Sequence, residues 1–460
     1  MEARLLKTGG PLPEWVLPYW ACWNVRRTEA LRRTFFQNIL TDFNPLQIPV
    51  LLKGDPIMKL TFVSNYINHH QIPLAEQLYA RLGDDYRFIE TEKMDEERVR
   101  MGWNEDTGGL PYLLRYAESP ETCKGLIADS DVVVFGGTDD ESYIRERLQS
   151  HKPVIRCSER LYKEGQWKAI SPRGLRRKNL DHTRYREQPV YLLCAGAYVP
   201  TDFHIVRAYP GKMFRWGYFP PFKKQDLNQL MERKRKNSTP RILWSGRFLD
   251  WKHPQDALAV AAFLKREGIS FEMTLIGGGE EEKRLRERLQ EEGLTDTVRL
   301  KGFRRPEEVR KAMEQADIFL FTSDYKEGWG AVLNEAMNSG CAVAANTAAG
   351  ASPYLICHGQ NGYLYKNGDR EQLCAHVRYL LQHPDVRERT GRNAYETIAR
   401  TWNAENACKA LLMLCRRILG EETVSVPGSG PGSAAPVIAQ RSMYKIMTKR
   451  NPGGRNKLEK

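Results

Sequence analysis

Two glutamates with a glycine-containing segment between them, Glu327 and Glu335, are the residues whose types and spacing best suggest chemistry. Gly328 and Gly330 leave the backbone free to turn, and helix-forming residues follow them. We therefore predict a loop that joins an apolar strand at 316–322 to a helix carrying Glu335. The first NH groups of such a helix lack intrahelical partners and lie at the positive end of its dipole, so they attract phosphate.

The separation of the two glutamates limits what they can do together. If the residues between them are mostly helical, the two carboxylates lie roughly 12 Å apart, because a helix rises ~1.5 Å per residue. An acid and base that act across one glycosidic bond are only roughly 5–9.5 Å apart. The wider spacing suits the two ends of an elongated ligand with a diphosphate in its middle, and a nucleotide-sugar is such a ligand.

The elements that must position these residues alternate along two long parts of the chain. In the first part, apolar stretches at 59–64, 131–136, 153–156 and 190–195 predict buried strands. From residue 241 onward, further apolar stretches alternate with amphipathic helical patterns. Alternation of this kind predicts an α/β protein with two parallel sheets.

Length and composition fit two domains with additional segments. At 460 residues, a single hydrophobic core is not expected. No apolar run approaches the ~20 residues that a membrane-spanning helix needs. The nine cysteines include no CxxC pair, so we expect thiols in a reducing compartment and neither a disulfide framework nor a zinc site.

The positive charge of the chain is concentrated in one region. Residues 151–240 contain 20 Lys and Arg against 7 Asp and Glu, an excess equal to the net charge of +13. The densest part contains four cations within six residues: Arg173, Arg176, Arg177 and Lys178. Such a surface can bind an anionic membrane, nucleic acid or a phosphorylated substrate, or it can be a solvated loop without a partner. Because no clear nucleic-acid recognition motif accompanies it, we expect no nucleic acid, and an anionic membrane surface or a lipid-diphosphate acceptor explains the charge as well.

The part of the chain from about 242 to 402 resembles the donor-binding half of the retaining family 4 glycosyltransferases. The resemblance extends more weakly back to residue 58. It rests on five motifs in the expected order. The first is Gly246 with Arg247 and Lys252, the second is the glycine run from Gly277 to Gly279, and the third is the pair of Gly302 and Phe303. The fourth is the pair of Glu327 and Glu335, and the fifth is a glycine loop that contains Ala349 and Gly350.

The resemblance implies the GT-B fold, in which two Rossmann-like parallel-sheet domains face a central cleft. On this basis we expect an acceptor-binding domain at 58–222, a linker at 223–240 and a nucleotide-sugar-binding domain at 241–400. A helix at 401–420 is expected to cross back to the first domain. Residues 1–57 are an N-terminal extension of unknown role, and the low-complexity residues 421–460 are expected to form a disordered tail.

The resemblance also implies roles for individual residues on the donor side. Arg247 and Lys252 are expected to stabilise the departing diphosphate, Glu327 to face the transferred sugar and Glu335 to hydrogen-bond the ribose. Arg247, Lys252 and Glu327 form the expected catalytic set. The expected donor-binding residues are Gly246, Gly277, Gly278, Phe303, Gly328, Trp329, Gly330, Leu333 and Glu335.

The acceptor side is less evident. Asn68, His69 and His70 follow the first predicted strand, and Glu159 and Arg160 follow the strand at 153–156. Loops at these places face the cleft in the resembled fold, so the five residues are our acceptor-side candidates. No metal-ligand cluster or suitably placed DxD motif is evident, so we expect no metal and no cofactor apart from the nucleoside-diphosphate sugar as co-substrate.

We therefore expect a retaining, metal-independent transferase that moves a sugar from a nucleoside-diphosphate sugar to a hydroxyl of a glycan or lipid-linked acceptor. Polysaccharide or glycoconjugate synthesis is the expected process, in the cytoplasm or peripherally on the inner face of the membrane. The alternatives are a nucleotide-sugar epimerase or phosphorylase of the same fold, and a non-catalytic protein that binds sugars or anions.

Overall fold

The computed structural model describes residues 58–94, 109–165, 169, 171–439 and 442–443. The predicted N-terminal extension, 1–57, lies outside these residues. The described chain forms two parallel β-sheets, each covered by helices, and this confirms the predicted α/β class.

The first sheet has seven parallel strands in the order β3-β2-β1-β4-β5-β6-β7. Its strands are β1 (Leu60–Ser64), β2 (Tyr86–Glu90), β3 (Leu113–Arg115), β4 (Val132–Gly136), β5 (Val154–Ser158), β6 (Val190–Ala195) and β7 (Met213–Trp216). The helices connecting them are α1 (Ile72–Leu82), α2 (Pro120–Asp129), α3 (Arg145–Gln149), α4 (Pro172–Asp181) and α5 (Val199–Ile205).

The second sheet has six parallel strands in the order β10-β9-β8-β11-β12-β13. After helix α6 (Leu227–Arg235), its strands are β8 (Arg241–Ser245), β9 (Glu272–Ile276), β10 (Val298–Lys301), β11 (Ile318–Phe321), β12 (Ala342–Asn346) and β13 (Tyr363–Tyr365). The remaining helices are α7 (Pro254–Arg266), α8 (Glu282–Glu291), α9 (Pro306–Gln315), α10 (Ala331–Asn338), α11 (Ser352–Leu355), α12 (Arg370–Gln382), α13 (Pro384–Arg400) and α14 (Ala404–Ile418).

Both cores lie between a sheet and the helices on its two faces. Every residue of β4 and of β12 is buried, which is why β4 and the first four residues of β12 are apolar instead of alternating. In both sheets the strand order reverses next to the first strand, between β1 and β4 and between β8 and β11. Loops after the carboxyl ends of strands at such a reversal are where ligands bind in open α/β sheets. The loops after β8 and β11 carry Arg247, Lys252 and Glu327.

The predicted linker, 223–240, is wrong in one respect, because α6 lies within it. Leu230, Met231 and Lys234 of this helix are buried. The Lys234 ammonium donates to the backbone oxygens of Ala316 at 2.6 Å and Gly340 at 2.9 Å, which lie just beyond the ends of α9 and α10. A buried lysine is tolerated here because carbonyls at helix ends accept hydrogen bonds from its ammonium group.

The predicted disordered tail is wrong for residues 430–438, which pack against the first domain. Arg215 of β7 donates its NH to the Ser433 oxygen at 2.7 Å, and Phe214 forms an antiparallel bridge with Ala434. The hydroxyl of Thr201 donates to the Ile438 oxygen at 3.0 Å. Small residues let this segment approach closely, and we call residues 430–438 the C-terminal strap.

The last helix, α14, packs against α1 of the first domain. An ion pair between Arg81 and Glu405, with 4.0 Å between Nη2 and Oε1, lies at this interface. In the described part of the chain, the cysteines carry free thiols. No helix within the described ranges is long and apolar enough to cross a membrane.

Candidate functional site

The loop after β8 is held by backbone contacts with the glycine loop after β9. Gly277 has a φ of +150°, and a Cβ at this position would lie 1.8 Å from the oxygen of Gly246. The Phe248 NH donates to the oxygen of Gly278 at 2.8 Å. Only glycine permits this approach at position 277. The glycine run therefore fixes the course of the loop that carries Arg247 and Lys252.

Lys252 and Glu327 form an ion pair where the loops after β8 and β11 meet. Lys252 Nζ donates to Glu327 Oε2 at 2.6 Å, and their side chains are 14% and 12% exposed. The same ammonium lies 4.6 Å from the centroid of the Trp251 ring, a favourable cation–π arrangement. Arg247 is exposed, and within the described residues its guanidinium makes no hydrogen bond or ion pair. One cation is thus fixed against Glu327 and a second is accessible.

A buried pair that sequence analysis missed ties these loops together. His253 Nε2 lies 3.1 Å from Asp324 Oδ2, and both side chains are 6% exposed. Asp324 also accepts the NH of Lys326 at 2.9 Å through Oδ1, and it donates its own NH to the oxygen of Trp251. The pair therefore positions the backbone three residues before Glu327. Neither residue belongs to a motif that we used.

Helix α10 begins directly after the glutamate loop, at Ala331. Gly330 precedes it with a φ of +94°, and a Cβ there would lie 2.3 Å from Phe321 Cζ. The residues from Glu327 to Gly330 are not helical, so only Glu335 of the glutamate pair lies on the helix. The positive end of the helix dipole therefore points toward the Glu327 loop.

Glu335 has the surroundings of a ligand-binding carboxylate. Its side chain is half-buried, and it accepts no hydrogen bond from the described part of the chain. Burial raises the pKa of this carboxyl, and the nearby Arg310 guanidinium opposes the rise. Arg310 itself donates to the backbone oxygen of Glu335 at 2.9 Å and to Asn338 Oδ1 at 2.5 Å.

Two predicted donor-binding residues, Trp329 and Leu333, are fully buried. The Trp329 ring packs against Trp402 with centroids 5.6 Å apart, and Trp329 Nε1 donates to Asn334 Oδ1 at 2.8 Å. Both side chains are thus packed behind the loop. Phe303, in the loop after β10, is 48% exposed and accessible to a ligand.

Three glycines bring the two domains together at the glutamate loop. A Cβ at Gly350 would lie 1.7 Å from the oxygen of Gly328, and a Cβ at Gly196 would lie 2.6 Å from that same oxygen. Ala197 of the first domain donates its NH to the oxygen of Gly350 at 2.9 Å. These close approaches place the loop after β6 directly against the loop that carries Glu327.

On the first domain, the structure brings Glu159 to the same point. A Cβ at Gly328 would lie 2.1 Å from the carboxyl carbon of Glu159. The Tyr218 hydroxyl donates to Glu159 Oε1 at 2.6 Å, and Lys163 donates to Oε2. Tyr218 was not among our candidates, and it lies between β7 and α6, where the chain passes from one domain to the other. Glu159 is thus adjacent to the residue that follows Glu327.

The predicted histidines lie beside this cluster. The His70 ring is parallel to that of Tyr218, with centroids 6.2 Å apart, and the His69 and His70 centroids are 3.8 Å apart. Burial lowers the pKa of His69 to about 4 and that of His70 well below its ordinary value. Both imidazoles are therefore neutral near pH 7 and present no positive charge to a ligand.

The last two acceptor-side candidates have structural partners. The side-chain oxygen of Asn68 accepts the His70 NH at 2.9 Å, and the Asn68 backbone oxygen accepts the NH groups of Gln71 and Ile72 at the start of α1. Arg160 forms a buried ion pair with Asp202, with 3.1 Å between Nε and Oδ2. These contacts indicate that Asn68 and Arg160 position the loops rather than present free groups to a substrate.

The assembled site combines two cations, a helix N-terminus and three carboxylates. Such a set can bind a diphosphate near Arg247 and Lys252 while carboxylates accept hydrogen bonds from hydroxyl groups on either side. Within the described ranges, no group of three or more His, Cys, Asp or Glu residues is arranged to hold a metal ion.

Comparison with known families matches one segment of the chain. Residues 228–397 match the family described as Glycosyl transferases group 1, and this segment contains the loops after β8, β9 and β11. The chain is 35% identical over 147 residues to the amylovoran biosynthesis glycosyltransferase AmsK of Erwinia amylovora, which covers 31% of this chain and 36% of AmsK.

A second curated relative is the N-acetyl-alpha-D-glucosaminyl L-malate synthase of Bacillus anthracis. It is 27% identical over 183 residues, which cover 40% of this chain and 47% of that protein. The chain thus spans less than half the length of both curated relatives.

Among solved structures, the chain is similar to HepE of Anabaena, crystallised in complex with UDP. The TM-score is 0.59 at 16% identity, and the match covers 78% of this chain and 100% of that one. Similarity at this identity concerns the fold alone. It confirms the predicted GT-B arrangement of two Rossmann-like domains.

Proposed function

We propose that this protein transfers a sugar from a nucleoside-diphosphate sugar to a hydroxyl group of a glycan or lipid-linked acceptor. The observation that carries the proposal is the meeting of three loops at one point. Lys252 and Glu327 are paired at 2.6 Å there, and Glu159 of the other domain lies against Gly328. A donor held by the second domain is then next to the surface that would hold an acceptor.

The donor diphosphate binds between the accessible Arg247 and Lys252, near the first turn of α10. Arginine can bind phosphate oxygens in a bidentate manner, whereas lysine acts as a point charge. Glu335 accepts hydrogen bonds from the ribose hydroxyls, which accounts for a half-buried carboxylate that accepts none from the described chain. Glu327 binds hydroxyls of the sugar that is transferred.

The transfer breaks the bond between the anomeric carbon and the diphosphate and forms a bond to the acceptor oxygen. Negative charge grows on the leaving diphosphate, and the two cations stabilise it where it develops, which is commonly the largest contribution to catalysis. The acceptor hydroxyl loses its proton to the departing phosphate oxygen. Attack on the face that the diphosphate leaves retains the anomeric configuration.

We assign the charge neutralisation to Arg247 and Lys252 and not to a divalent cation. The names of the relatives, which include amylovoran biosynthesis, support a role in polysaccharide or glycoconjugate synthesis. Free thiols in the described part of the chain support a reducing compartment such as the cytoplasm.

Helix α4 is the surface that we propose to contact an anionic membrane. None of its residues is buried, and Arg173, Arg176 and Arg177 are exposed. Leu175 and Leu180 of the same helix are 41% and 46% exposed. Exposed leucines beside several cations match the apolar interior and anionic headgroups of a membrane interface.

A sedimentation experiment with vesicles tests the membrane contact. We expect wild-type protein to bind vesicles that contain phosphatidylglycerol at low salt and to be released at high salt, whereas the triple variant Arg173→Gln, Arg176→Gln, Arg177→Gln does not bind. Equal binding of the triple variant, or binding to neutral vesicles alone, would contradict the role of α4.

The enzymatic proposal is tested with a panel of nucleotide-sugars. We expect one or more donors to raise the melting temperature, and the stabilising donor to yield a glycosylated product with the donor's anomeric configuration by NMR, at the same rate in EDTA. Conversion of the donor to an epimer without an acceptor would indicate an epimerase instead. No stabilisation by any nucleotide-sugar would refute donor binding.

A further inference from the structure

Tyr218 contacts both domains, the first through its hydroxyl and the second through its backbone oxygen. Its hydroxyl donates to Glu159 Oε1 in the first domain at 2.6 Å. Its backbone oxygen accepts from Asn334 Nδ2, in the first turn of α10, at 3.4 Å. A Cβ at the preceding residue, Gly217, would lie 2.3 Å from the Trp329 ring, so the backbone is also fixed against the second domain. The position of the phenol is therefore set from both sides.

The carboxylate that Tyr218 holds still has capacity for a ligand. Glu159 accepts one hydrogen bond on each oxygen, from Tyr218 and from Lys163. An ionised carboxylate has about four lone-pair sites, so about two are open. The side chain is 27% exposed, and its carboxyl carbon abuts Gly328. Sugar hydroxyls are donors that suit such open sites.

We propose that Tyr218 is a positioning residue that holds the Glu159 carboxylate beside Gly328, where this carboxylate accepts a hydrogen bond from a sugar hydroxyl. The inference rests on the proposed glycosyl transfer. The hydroxyl belongs either to the transferred sugar or to the acceptor, since Glu159 lies where the two meet. Both sources use the same chemistry, and binding measurements separate them.

The phenol is suited to this role because it stays protonated. Burial raises the pKa of Tyr218 well above its ordinary value, and Glu159 raises it further. The hydroxyl therefore keeps its proton and remains a hydrogen-bond donor near pH 7. Tyr218→Phe keeps the ring, and with it the packing against His70, while it removes only the donor.

The test compares Tyr218→Phe and Glu159→Gln with Tyr379→Phe as the matched control. Tyr379 is 40% exposed on α12, away from the site. Calorimetry gives the Kd of the nucleotide-sugar found in the panel, and steady-state rates give kcat and the acceptor KM. Donor hydrolysis without acceptor is measured as a third quantity. Loss of a hydrogen bond to a charged group predicts an effect on the order of tenfold to a hundredfold.

We expect Tyr218→Phe to weaken the binding of either the transferred sugar or the acceptor and to leave the melting temperature within a few degrees of wild type. A raised acceptor KM with unchanged donor Kd and hydrolysis assigns the hydroxyl to the acceptor, and a raised donor Kd assigns it to the transferred sugar. The double variant Tyr218→Phe, Glu159→Gln should be no worse than Glu159→Gln alone.

Three results would overturn the inference. One is unchanged donor Kd, acceptor KM and kcat in Tyr218→Phe. Another is full additivity in the double variant, because Tyr218 would then not act through Glu159. The third is a wild-type protein that takes up no nucleotide-sugar, which refutes the proposed function as well. The first two leave donor uptake intact and refute only the inference.

Discussion

In the second domain, backbone contacts with a glycine loop hold the loop that carries Arg247 and Lys252, whereas in the first domain the side chain of a distant residue holds Glu159. Gly277 and Gly246 touch through main-chain atoms, and this contact fixes the loop that carries Lys252. In contrast, Glu159 is held by the side chain of Tyr218, 59 residues away. A diphosphate is a group that many nucleotide ligands share, so a loop fixed by backbone contacts suits its binding. A carboxylate held by side chains is easier to reposition, because one substitution can change its contacts and with them the specificity.

The largest expected effect of a substitution is at Glu327, in the loop where the two domains meet. Glu327→Ala removes the group that we assign to the transferred sugar and leaves the Lys252 ammonium without its partner. We expect kcat to fall by a factor on the order of 10²–10³, as for other groups that act on the reacting centre. The measurement is the initial rate of transfer at saturating donor, with the melting temperature as the check on folding.

A matched control for this change is Glu291→Ala, on the surface of α8, which should retain full activity. A transfer rate in Glu327→Ala within a factor of two of wild type would exclude the proposed role.

Arg247 provides the next largest effect. Because it is exposed and has no ion-pair partner in the described part of the chain, Arg247→Ala should not change stability. We expect donor affinity to fall by a factor on the order of ten to a hundred, from the loss of charge-assisted hydrogen bonds to phosphate. Calorimetric titration with the donor measures the loss, and Lys283→Ala, 90% exposed on α8, is the control.

Glu335→Gln is expected to have opposite effects on binding and on stability. Binding of the nucleotide should weaken by roughly tenfold, since one ribose hydroxyl loses a charged acceptor. The raised pKa means that the folded state holds the proton of this carboxyl more tightly than the unfolded state does. Ionisation therefore costs stability, and the neutral glutamine should make the protein slightly more stable at pH 7.

This gain should disappear as the pH falls below the ordinary value of 4.5, where the wild-type carboxyl is also neutral in both states. Denaturant unfolding at pH 7 and at low pH measures the difference. A variant less stable than wild type at pH 7 would show that the carboxylate has a structural partner.

The smallest effect on activity is expected at Trp329, which the sequence pattern placed in the donor site. Trp329→Phe removes buried ring atoms and the hydrogen bond to Asn334, so we expect a loss of about 1–3 kcal/mol in the free energy of unfolding. Donor affinity should stay within twofold of wild type, because the ring packs behind the loop against Trp402. A large loss of donor affinity without a loss of stability would indicate that Trp329 contacts the donor directly.

The course of the loops in the second domain could be predicted because close backbone contacts constrain short stretches of sequence. Glycines at 277 and 330 are required by positive φ angles and close contacts, and both lie next to residues that we singled out. The pair of His253 and Asp324 was missed because it depends on two loops meeting in space, 71 residues apart. No spacing rule along the chain reports such a contact.

Other misses have a related cause. Strands β2 and β7 carry charged residues among their apolar ones, Arg87 and Arg215, so their patterns resemble those of surface segments. The helix within the predicted linker was missed because the burial of its Lys234 depends on backbone carbonyls next to two other helices, which no local sequence pattern shows. Composition alone likewise suggested disorder for the C-terminal strap, since small residues that fit a narrow space are also typical of flexible chains.

The C-terminal strap also occupies a sheet edge. Strand β7 ends the seven-stranded sheet, and its outer main-chain groups bond to Ser433, Gly432 and Ala435. An edge strand left bare is a template on which a second molecule can add a strand of its own. The C-terminal strap should therefore act against self-association, and protein shortened to residue 420 should form dimers and larger aggregates whose abundance rises with concentration.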